Sequence, residues 1–265
     1  MDDQICRKLD RDGYVLIEDV LLSDELKRVQ ETFYRVENET RAKWSDSLSG
    51  EVGFKPYGLG HDAHVVFPII DYDDLFVDLL EYPLTTRIAQ RVQGPDIMMV
   101  DNALHVKPAG TPAHTGWHRD TGTWKYDSSS WDENVMNSWE EIRGCDAPHF
   151  KIKVFFIIDD IGHKTAPFSV VPGSHKFPEA PEKGTCLDAM EDHVRITGPA
   201  GSAIIWNGCI WHTAMDNTDI RARRMLLYNY THVGSGQREQ YILRGEFRER
   251  MKRERSAFCR QILGI

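Results

Sequence analysis

Short strand-like segments separated by turns fill the chain from residue 97 onward, and this pattern limits its possible folds more than any other feature. The clearest segment, residues 150–158, combines aromatic and β-branched residues with two lysines, a composition typical of a strand. Further segments of this kind lie at residues 97–106, 168–171, 194–196, 203–206 and 223–231. A series of short strands like this predicts a β-sandwich or barrel.

Helical periodicity is found in the first third of the chain and again at its end. Ser23 opens a helix whose apolar residues, from Leu26 to Phe33, recur on one face, and we expect this helix to end near residue 36. Residues 71–93 predict two helices divided by Pro83. Residues 246–261 are charged and predict a C-terminal helix.

Residues 37–66 are polar and contain four glycines, so they predict a long loop that either covers a site as a lid or is disordered. No break in composition divides the 265 residues, and we therefore expect one domain. Its helical part would span about residues 20–93, and its β core about residues 97–235.

Charge and cysteine content exclude several kinds of protein. The formal net charge of -9 argues against a nucleic-acid-binding surface. No apolar run approaches the roughly 20 residues of a membrane span, and the first residues lack the pattern of a secretory signal. Five scattered cysteines without a Cys-x-x-Cys pair indicate free thiols. We expect a cytoplasmic monomer or homodimer that acts on a small molecule.

A histidine and an aspartate, His118 and Asp120, stand two residues apart, so on an extended segment their side chains point to the same side. A third ligand from a distant strand, His212, would complete a set of two imidazoles and one carboxylate. That set leaves positions open on the metal and suits non-heme Fe(II) that activates O2. Taken alone, the short His-x-Asp motif is more typical of a surface loop.

Two lysines interrupt the apolar segment at residues 150–158, and alternation places Lys151 and Lys153 on the same face as Phe155. For Lys151 we expect a solvated position at a sheet edge. For Lys153 two interpretations remain open: a solvated edge, or an anion-binding position inside an open barrel mouth.

The order of several motifs resembles that of the phytanoyl-CoA dioxygenase-like family of Fe(II)/2-oxoglutarate oxygenases, and the resemblance covers most of the chain. The motifs that carry it are Val106-Lys-Pro108, Trp117-His-Arg-Asp120, Phe155-Phe-Ile-Ile-Asp-Asp160, Val170-Val-Pro-Gly-Ser-His175, Trp211-His212 and Arg223-Arg224. The Pro-Gly-Ser-His turn and the spacing from His212 to Arg223 are the most specific parts. The resemblance implies a double-stranded β-helix, or jelly-roll, with N-terminal helices packed on the sheet.

Residue by residue, the resemblance implies that His118, Asp120 and His212 hold iron and that Arg223 pairs with the far carboxylate of 2-oxoglutarate. A guanidinium suits this role because it can bind a carboxylate through two parallel hydrogen bonds.

Three more residues match positions that line the cosubstrate pocket in the family, and for each a packing role is the alternative. They are His105, Thr121 and Phe155. Ala214 departs from the family pattern, because many members have a serine there that contacts the cosubstrate. One hydrogen bond, typically ~1 kcal/mol net, is then missing or supplied elsewhere.

The implied reaction couples the oxidation of a substrate by O2 to the conversion of 2-oxoglutarate into succinate and CO2. Because Asp120 stands where related halogenases have a small residue, we expect hydroxylation or a related oxidation. The candidates for contact with an amino-acid-like or otherwise carboxylated small molecule, such as a specialised metabolite, are Arg119, Lys153, Trp117 and Trp124. Two other functions remain open: a cupin-like metal hydrolase or isomerase without cosubstrate, and a non-catalytic relative.

Overall fold

The computed structural model describes residues 1–47, 63–113, 116–120, 151–176, 190, 192–235, 243 and 245–265. Within them the helices are α1 (Asp2–Asp12), α2 (Ser23–Ser47), α3 (Asp74–Leu80), α4 (Pro83–Gln93), α5 (Gly245–Glu254) and α6 (Ala257–Leu263). The strands are β1 (Tyr14–Ile17), β2 (His64–Val66), β3 (Ile97–Lys107), β4 (Ile152–Ile157), β5 (Phe168–Val170), β6 (Val194–Ile196), β7 (Ala203–Asn207), β8 (His212–Ala214) and β9 (Arg223–His232).

The strands form two antiparallel sheets. The larger sheet has the order β1-β7-β4-β9-β3-β2, and the smaller has the order β6-β5-β8. Because strands that follow each other in the chain are mostly not neighbours, the chain crosses repeatedly between the sheets, as in a jelly-roll. The predicted fold class is confirmed, with two facing sheets rather than a closed barrel.

The larger sheet separates two hydrophobic cores, because successive residues of a strand point to opposite faces. Phe156 and Leu226 belong to the core that the helices cover. Phe155 and Leu227, the neighbours of these two residues on the same strands, belong to the core shared with Phe168 of the smaller sheet. We call the face that carries Phe155 and Leu227 the inner face.

Helix α1 lies before the helical part that the sequence predicts at about residues 20–93. Ile5 and Leu9 are its buried residues, so its apolar stripe is too short to be recognised from periodicity. The helix ends at Gly13, whose φ of 79° is left-handed, a conformation that favours glycine. A Cβ at Gly13 would lie 2.6 Å from His175 Nδ1. Glycine therefore allows the end of α1 to approach the turn that contains His175.

Helix α2 continues to Ser47, so the prediction of a loop from residue 37 was wrong for its first part. Glu37 is buried and pairs with Arg41 at 2.5 Å and with Arg224 at 2.6 Å. A helical face that packs through ion pairs carries no apolar repeat, which explains the error. Residues 48–62 lie outside the described part of the chain, and the prediction of a lid or disorder there stays open.

The C-terminal segment forms two helices where the sequence predicts one. Ser256 separates α5 from α6, and its side chain accepts a hydrogen bond of 2.9 Å from the N–H of Cys259, capping α6. Among the helices of the described residues, none has both the length and the apolar composition needed to cross a membrane.

Candidate metal centre

His118, Asp120 and His212 meet where residues 116–120 run beside the start of β8. The main chains of His118 and His212 exchange two hydrogen bonds of 3.0 Å, and the N–H of Asp120 donates to the carbonyl of Gly208 at 2.9 Å. These bonds bring together two segments that are far apart in the sequence.

The three side chains converge on one point. His118 Nε2 lies 3.8 Å from Asp120 Oδ1, and His212 Nε2 lies 3.3 Å from Asp120 Oδ2. One ligand atom from each residue lies within 4.8 Å of the others. Ligands in adjacent octahedral positions, each about 2.1 Å from the ion, are about 3 Å apart. The donor set therefore fits a single first-row metal ion, and its occupation by iron stays a prediction.

Backbone carbonyls set the tautomer of both imidazoles. His118 Nδ1 lies 2.9 Å from the carbonyl of Gly116, and His212 Nδ1 lies 2.9 Å from that of Ile210. A nitrogen in this position donates its proton, so Nε2 presents its lone pair to the ion. Burial, with the neighbouring His212, lowers the pKa of His118 to about 4. His118 is therefore neutral, which is the form that binds metal.

Lys153 lies inside the site, with its Nζ 2.7 Å from Asp120 Oδ2. Burial alone would raise the pKa of Asp120, but Lys153 and His212 outweigh it and hold that pKa well below its usual range. Of the two interpretations of Lys153, the interior position is the one observed. Lys151 is also buried, at 3% exposure, so its predicted solvated position was wrong. The reason is that β4 lies between β7 and β9, away from any sheet edge.

Arg223 is buried at the start of β9, with 6% exposure. Its Nη1 donates to the carbonyl of Ala166 at 3.0 Å, and its buried Nε has no hydrogen-bond partner within the described residues. Burial lowers the pKa of Arg223 to about 10. A buried cation is costly unless an anion compensates it, so this guanidinium fits a bound carboxylate.

Lys107 is a second buried cation beside Arg223, its register partner on β3. Its Nζ donates to the carbonyl of Met215 at 2.9 Å. Lys107 is not among the site residues predicted from the sequence. Strand alternation could have found it, because Lys107 shares a face with His105.

His105 and Phe155 line the inner face, with ring centroids 6.0 Å apart. Burial lowers the pKa of His105 to about 3, and the charges of Arg223, Lys153 and Asp120 also act on it. His105 therefore lies within electrostatic reach of both the buried arginine and the metal ligands. Thr121 and Trp124 lie outside the described residues.

Arg119 and Trp117 have contacts within the protein. Arg119 Nη2 donates to the carbonyl of Ser174 at 2.7 Å, and its guanidinium lies 4.9 Å from the ring centroid of Trp211. The ring of Trp117 lies 5.6 Å from that of His193. Their contact with a substrate stays a prediction.

A model of the phytanoyl-CoA dioxygenase (PhyH) family matches residues 9–225. The chain belongs to the phytanoyl-CoA dioxygenase family. This confirms the resemblance found in the sequence and the predicted enzyme class, an Fe(II)- and 2-oxoglutarate-dependent dioxygenase. The two alternative functions, a metal hydrolase or isomerase without cosubstrate and a non-catalytic relative, are therefore set aside.

Two characterised relatives are similar over most of their length. L-proline trans-4-hydroxylase of Streptomyces griseoviridis is 21% identical over 250 residues, covering 84% of this chain and 84% of the relative. Ectoine dioxygenase of Stutzerimonas stutzeri is 23% identical over 254 residues, covering 87% of this chain and 76% of the relative.

Solved structures share the fold. EctD from S. alaskensis with bound Fe gives a TM-score of 0.63 at 18% identity, covering 92% of this chain and 82% of that one. HygX from Streptomyces hygroscopicus with nickel and 2-oxoglutarate bound gives 0.63 at 12% identity, covering 87% of each chain. At these identities the likeness supports the jelly-roll architecture of this family member.

Proposed function

We propose that this dioxygenase hydroxylates, or otherwise oxidises, a small carboxylated molecule of the amino-acid type, with release of succinate and CO2. In this proposal His118, Asp120 and His212 hold the iron, and Arg223 holds the far carboxylate of 2-oxoglutarate. The observation that carries the proposal is Arg223 itself, a buried guanidinium on the strand that lines the site, with an Nε that lacks a partner.

When bound, iron and 2-oxoglutarate supply the oxidising power, since O2 is consumed as 2-oxoglutarate loses CO2. The protein's residues supply binding and orientation. The Nδ1 atoms of His118 and His212 lie against backbone carbonyls, so both rings direct Nε2 toward the ion. Lys153 and His212 hold the pKa of Asp120 well below its usual range, so Asp120 presents an ionised carboxylate.

Cosubstrate binding is assigned to the inner face between the metal ligands and the start of β9. Arg223 pairs with the far carboxylate, and Lys107 beside it adds positive charge. His105 and Phe155 lie between these two cations and the metal ligands. Thr121, predicted from the sequence to line the cosubstrate pocket, remains part of the proposal. The bidentate, charge-assisted hydrogen bond from the Arg223 guanidinium to this carboxylate is the strongest single contact in the proposed cosubstrate site.

The substrate assignment rests on the positive charge beside the metal ligands. Lys153 is buried and can hold a carboxylate close to the ion, because an ammonium carries three donors. We also propose substrate contact, on weaker grounds, for three residues predicted from the sequence: Arg119, Trp117 and Trp124. The names of two relatives, L-proline trans-4-hydroxylase and ectoine dioxygenase, support a small polar substrate over a long acyl chain.

The test measures succinate released from 2-oxoglutarate by the protein with Fe(II) under O2, alone and with carboxylated small molecules such as L-proline. We expect release to require Fe(II), and to fall at limiting 2-oxoglutarate by about tenfold or more in Arg223→Ala, since a charged hydrogen bond contributes roughly 1.5–3 kcal/mol.

Arg221→Ala is the matched control, because this exposed arginine lies two residues away and pairs with Asp219 on the surface. It should release succinate at the wild-type rate. Absence of succinate both with and without an added small molecule would overturn the proposal. Equal losses in the two variants would remove Arg223 from the cosubstrate site.

A further inference from the structure

Four side chains form a row across the inner face of the larger sheet, which we call the polar row. Lys153 on β4 is in register with Trp206 on β7 and with Asn229 on β9. Asn229 is in register with Asp101 on β3. Residues in register point to the same face of a sheet, so the row joins a lysine to an aspartate through one asparagine.

The Lys153 end of the polar row is part of the metal centre. Lys153 Nζ lies 2.7 Å from Asp120 Oδ2, and the ring of Trp206 lies 4.4 Å from that of His212. A molecule held along the polar row therefore lies beside the position where O2 chemistry takes place.

The Asp101 end is shaped by a break in the strand pairing. The register of β3 and β9 shifts between Met99 and Asp101. A bulge of this kind re-aims a side chain and is frequent beside active sites. Because of this shift, Asp101 lies opposite Asn229, and its carboxylate is on the inner face of the larger sheet.

Asn229 orients the aspartate and offers a second acceptor. Its Nδ2 lies 3.3 Å from Asp101 Oδ2, so the amide donates toward Asp101. Its Oδ1 is buried and has no hydrogen-bond partner in the described part of the chain. A buried acceptor without a partner costs about 1–3 kcal/mol, and a ligand with an N–H group would recover that cost.

We infer that Asp101, oriented by Asn229, binds a positively charged nitrogen of the substrate, while Lys153 binds its carboxylate. The preferred substrates are then zwitterions. Neighbouring strands are about 4.8 Å apart, so Lys153 and Asp101 lie about 10 Å apart at the backbone. This spacing suits a ligand whose opposite charges are separated by a few bonds. This inference rests on the proposed function and adds the specificity of the same site.

The test uses the twenty common L-amino acids, each beside its N-acetyl derivative and its carboxamide. Binding to the protein loaded with Ni(II) and 2-oxoglutarate is measured by titration calorimetry, and stimulated succinate release is measured with Fe(II). We expect at least one free amino acid to bind about tenfold more tightly than either derivative, because each derivative lacks one of the two charges.

Asp101→Asn separates the two ends of the polar row. It should reduce the preference for the free amine over the N-acetyl form by about tenfold, while the preference for the acid over the carboxamide remains. Asp96→Asn, the same change at an exposed position upstream on the chain, should preserve both preferences. An unchanged amine preference in Asp101→Asn would overturn the inference.

Failure of this inference is distinguishable from failure of the proposed function. If 2-oxoglutarate binds to the Ni(II)-loaded protein but no amino acid binds better than its derivatives, the zwitterion specificity is wrong and the proposed function stands. If 2-oxoglutarate itself does not bind, both are wrong.

Discussion

The hydroxyl of Ser174 accepts a hydrogen bond of 2.8 Å from the backbone N–H of Trp211. The carbonyl of Ser174 accepts a second bond, of 2.7 Å, from Arg119. Arg119 directly precedes Asp120, and Trp211 directly precedes His212. One residue of the Pro-Gly-Ser-His turn thus contacts both segments that carry the metal ligands, and it sets how they lie against each other.

Ser174→Ala should weaken metal binding by roughly tenfold, the lower end of the effect of losing an outer contact of a metal site. The Trp211 N–H loses its acceptor, so the free energy of unfolding should also fall by about 1–3 kcal/mol. Ni(II) titration calorimetry and chemical denaturation measure the two effects. Ser202→Ala is the control, since this buried hydroxyl bonds to the Pro199 carbonyl. Equal losses of Ni(II) affinity in both variants would contradict the role of Ser174.

Asp120→Ala should abolish succinate release, because the proposed metal site would lose one of its three ligands. It should also lower the free energy of unfolding by about 3 kcal/mol, since the buried Lys153 ammonium loses its partner at 2.7 Å. Adding Lys153→Met to this variant should restore stability but not turnover. Assays of succinate release and urea denaturation on both proteins separate the two roles. Full turnover in Asp120→Ala would remove this residue from the metal site.

Arg223→Met should have opposite effects on stability and on cosubstrate binding. Replacing a buried cation with an apolar side chain is often neutral or stabilising, here by about 1 kcal/mol in the absence of 2-oxoglutarate. The rise in melting temperature that 2-oxoglutarate causes in the wild type should disappear, because the carboxylate has lost its guanidinium. Thermal unfolding with and without 2-oxoglutarate measures both. A ligand-induced rise as large as in the wild type would place the cosubstrate elsewhere.

The pH dependence of stability should include a contribution from His64, the first residue of the edge strand β2. Burial lowers the pKa of His64 to about 4, and its Nε2 lies 2.8 Å from the Thr40 hydroxyl, which itself donates to the Val36 carbonyl. As pH falls from about 6.5 to about 4, the unfolded chain gains a proton here and the folded chain does not. Folding should therefore lose roughly 2–3 kcal/mol over this window.

His64→Gln removes this titration and keeps an N–H donor for Thr40. Its free energy of unfolding should fall less steeply below pH 6.5 than that of the wild type, measured by urea denaturation across the window. His163→Gln, at an exposed position, should retain the wild-type slope. Parallel curves for wild type and His64→Gln would show that His64 does not remain neutral in the folded chain.

Features that depend on local spacing could be predicted from the sequence. Two residues on an extended segment share a side whatever surrounds them, which placed His118 beside Asp120. Alternation placed His105 and Phe155 on one side of their strands, and Pro83 marked the boundary between α3 and α4. The third proposed ligand, His212, required the ordered set of motifs, because no spacing rule links it to the other two.

Features that depend on distant partners could not be predicted. Glu37 continues a helix where its neighbours look loop-like, because Arg224 lies beside it in the fold. Lys151 looks solvated in isolation and Lys153 stays ambiguous, since lysine is rarely buried. Their strand turned out to be central in the sheet, and Asp120 compensates one of the charges. A single sequence contains no signal for either pairing.

The alternating strands at the centre of the larger sheet have a consequence for protein engineering. Phe156 and Leu226 support the helices, whereas Phe155 and Leu227 face the smaller sheet. A mutagenesis library limited to every second codon of β4 and β9 would vary only the side chains on the inner face and keep those that support the helices. Deleting one codon from either strand would instead turn the following inner-face side chains to the opposite face of the sheet.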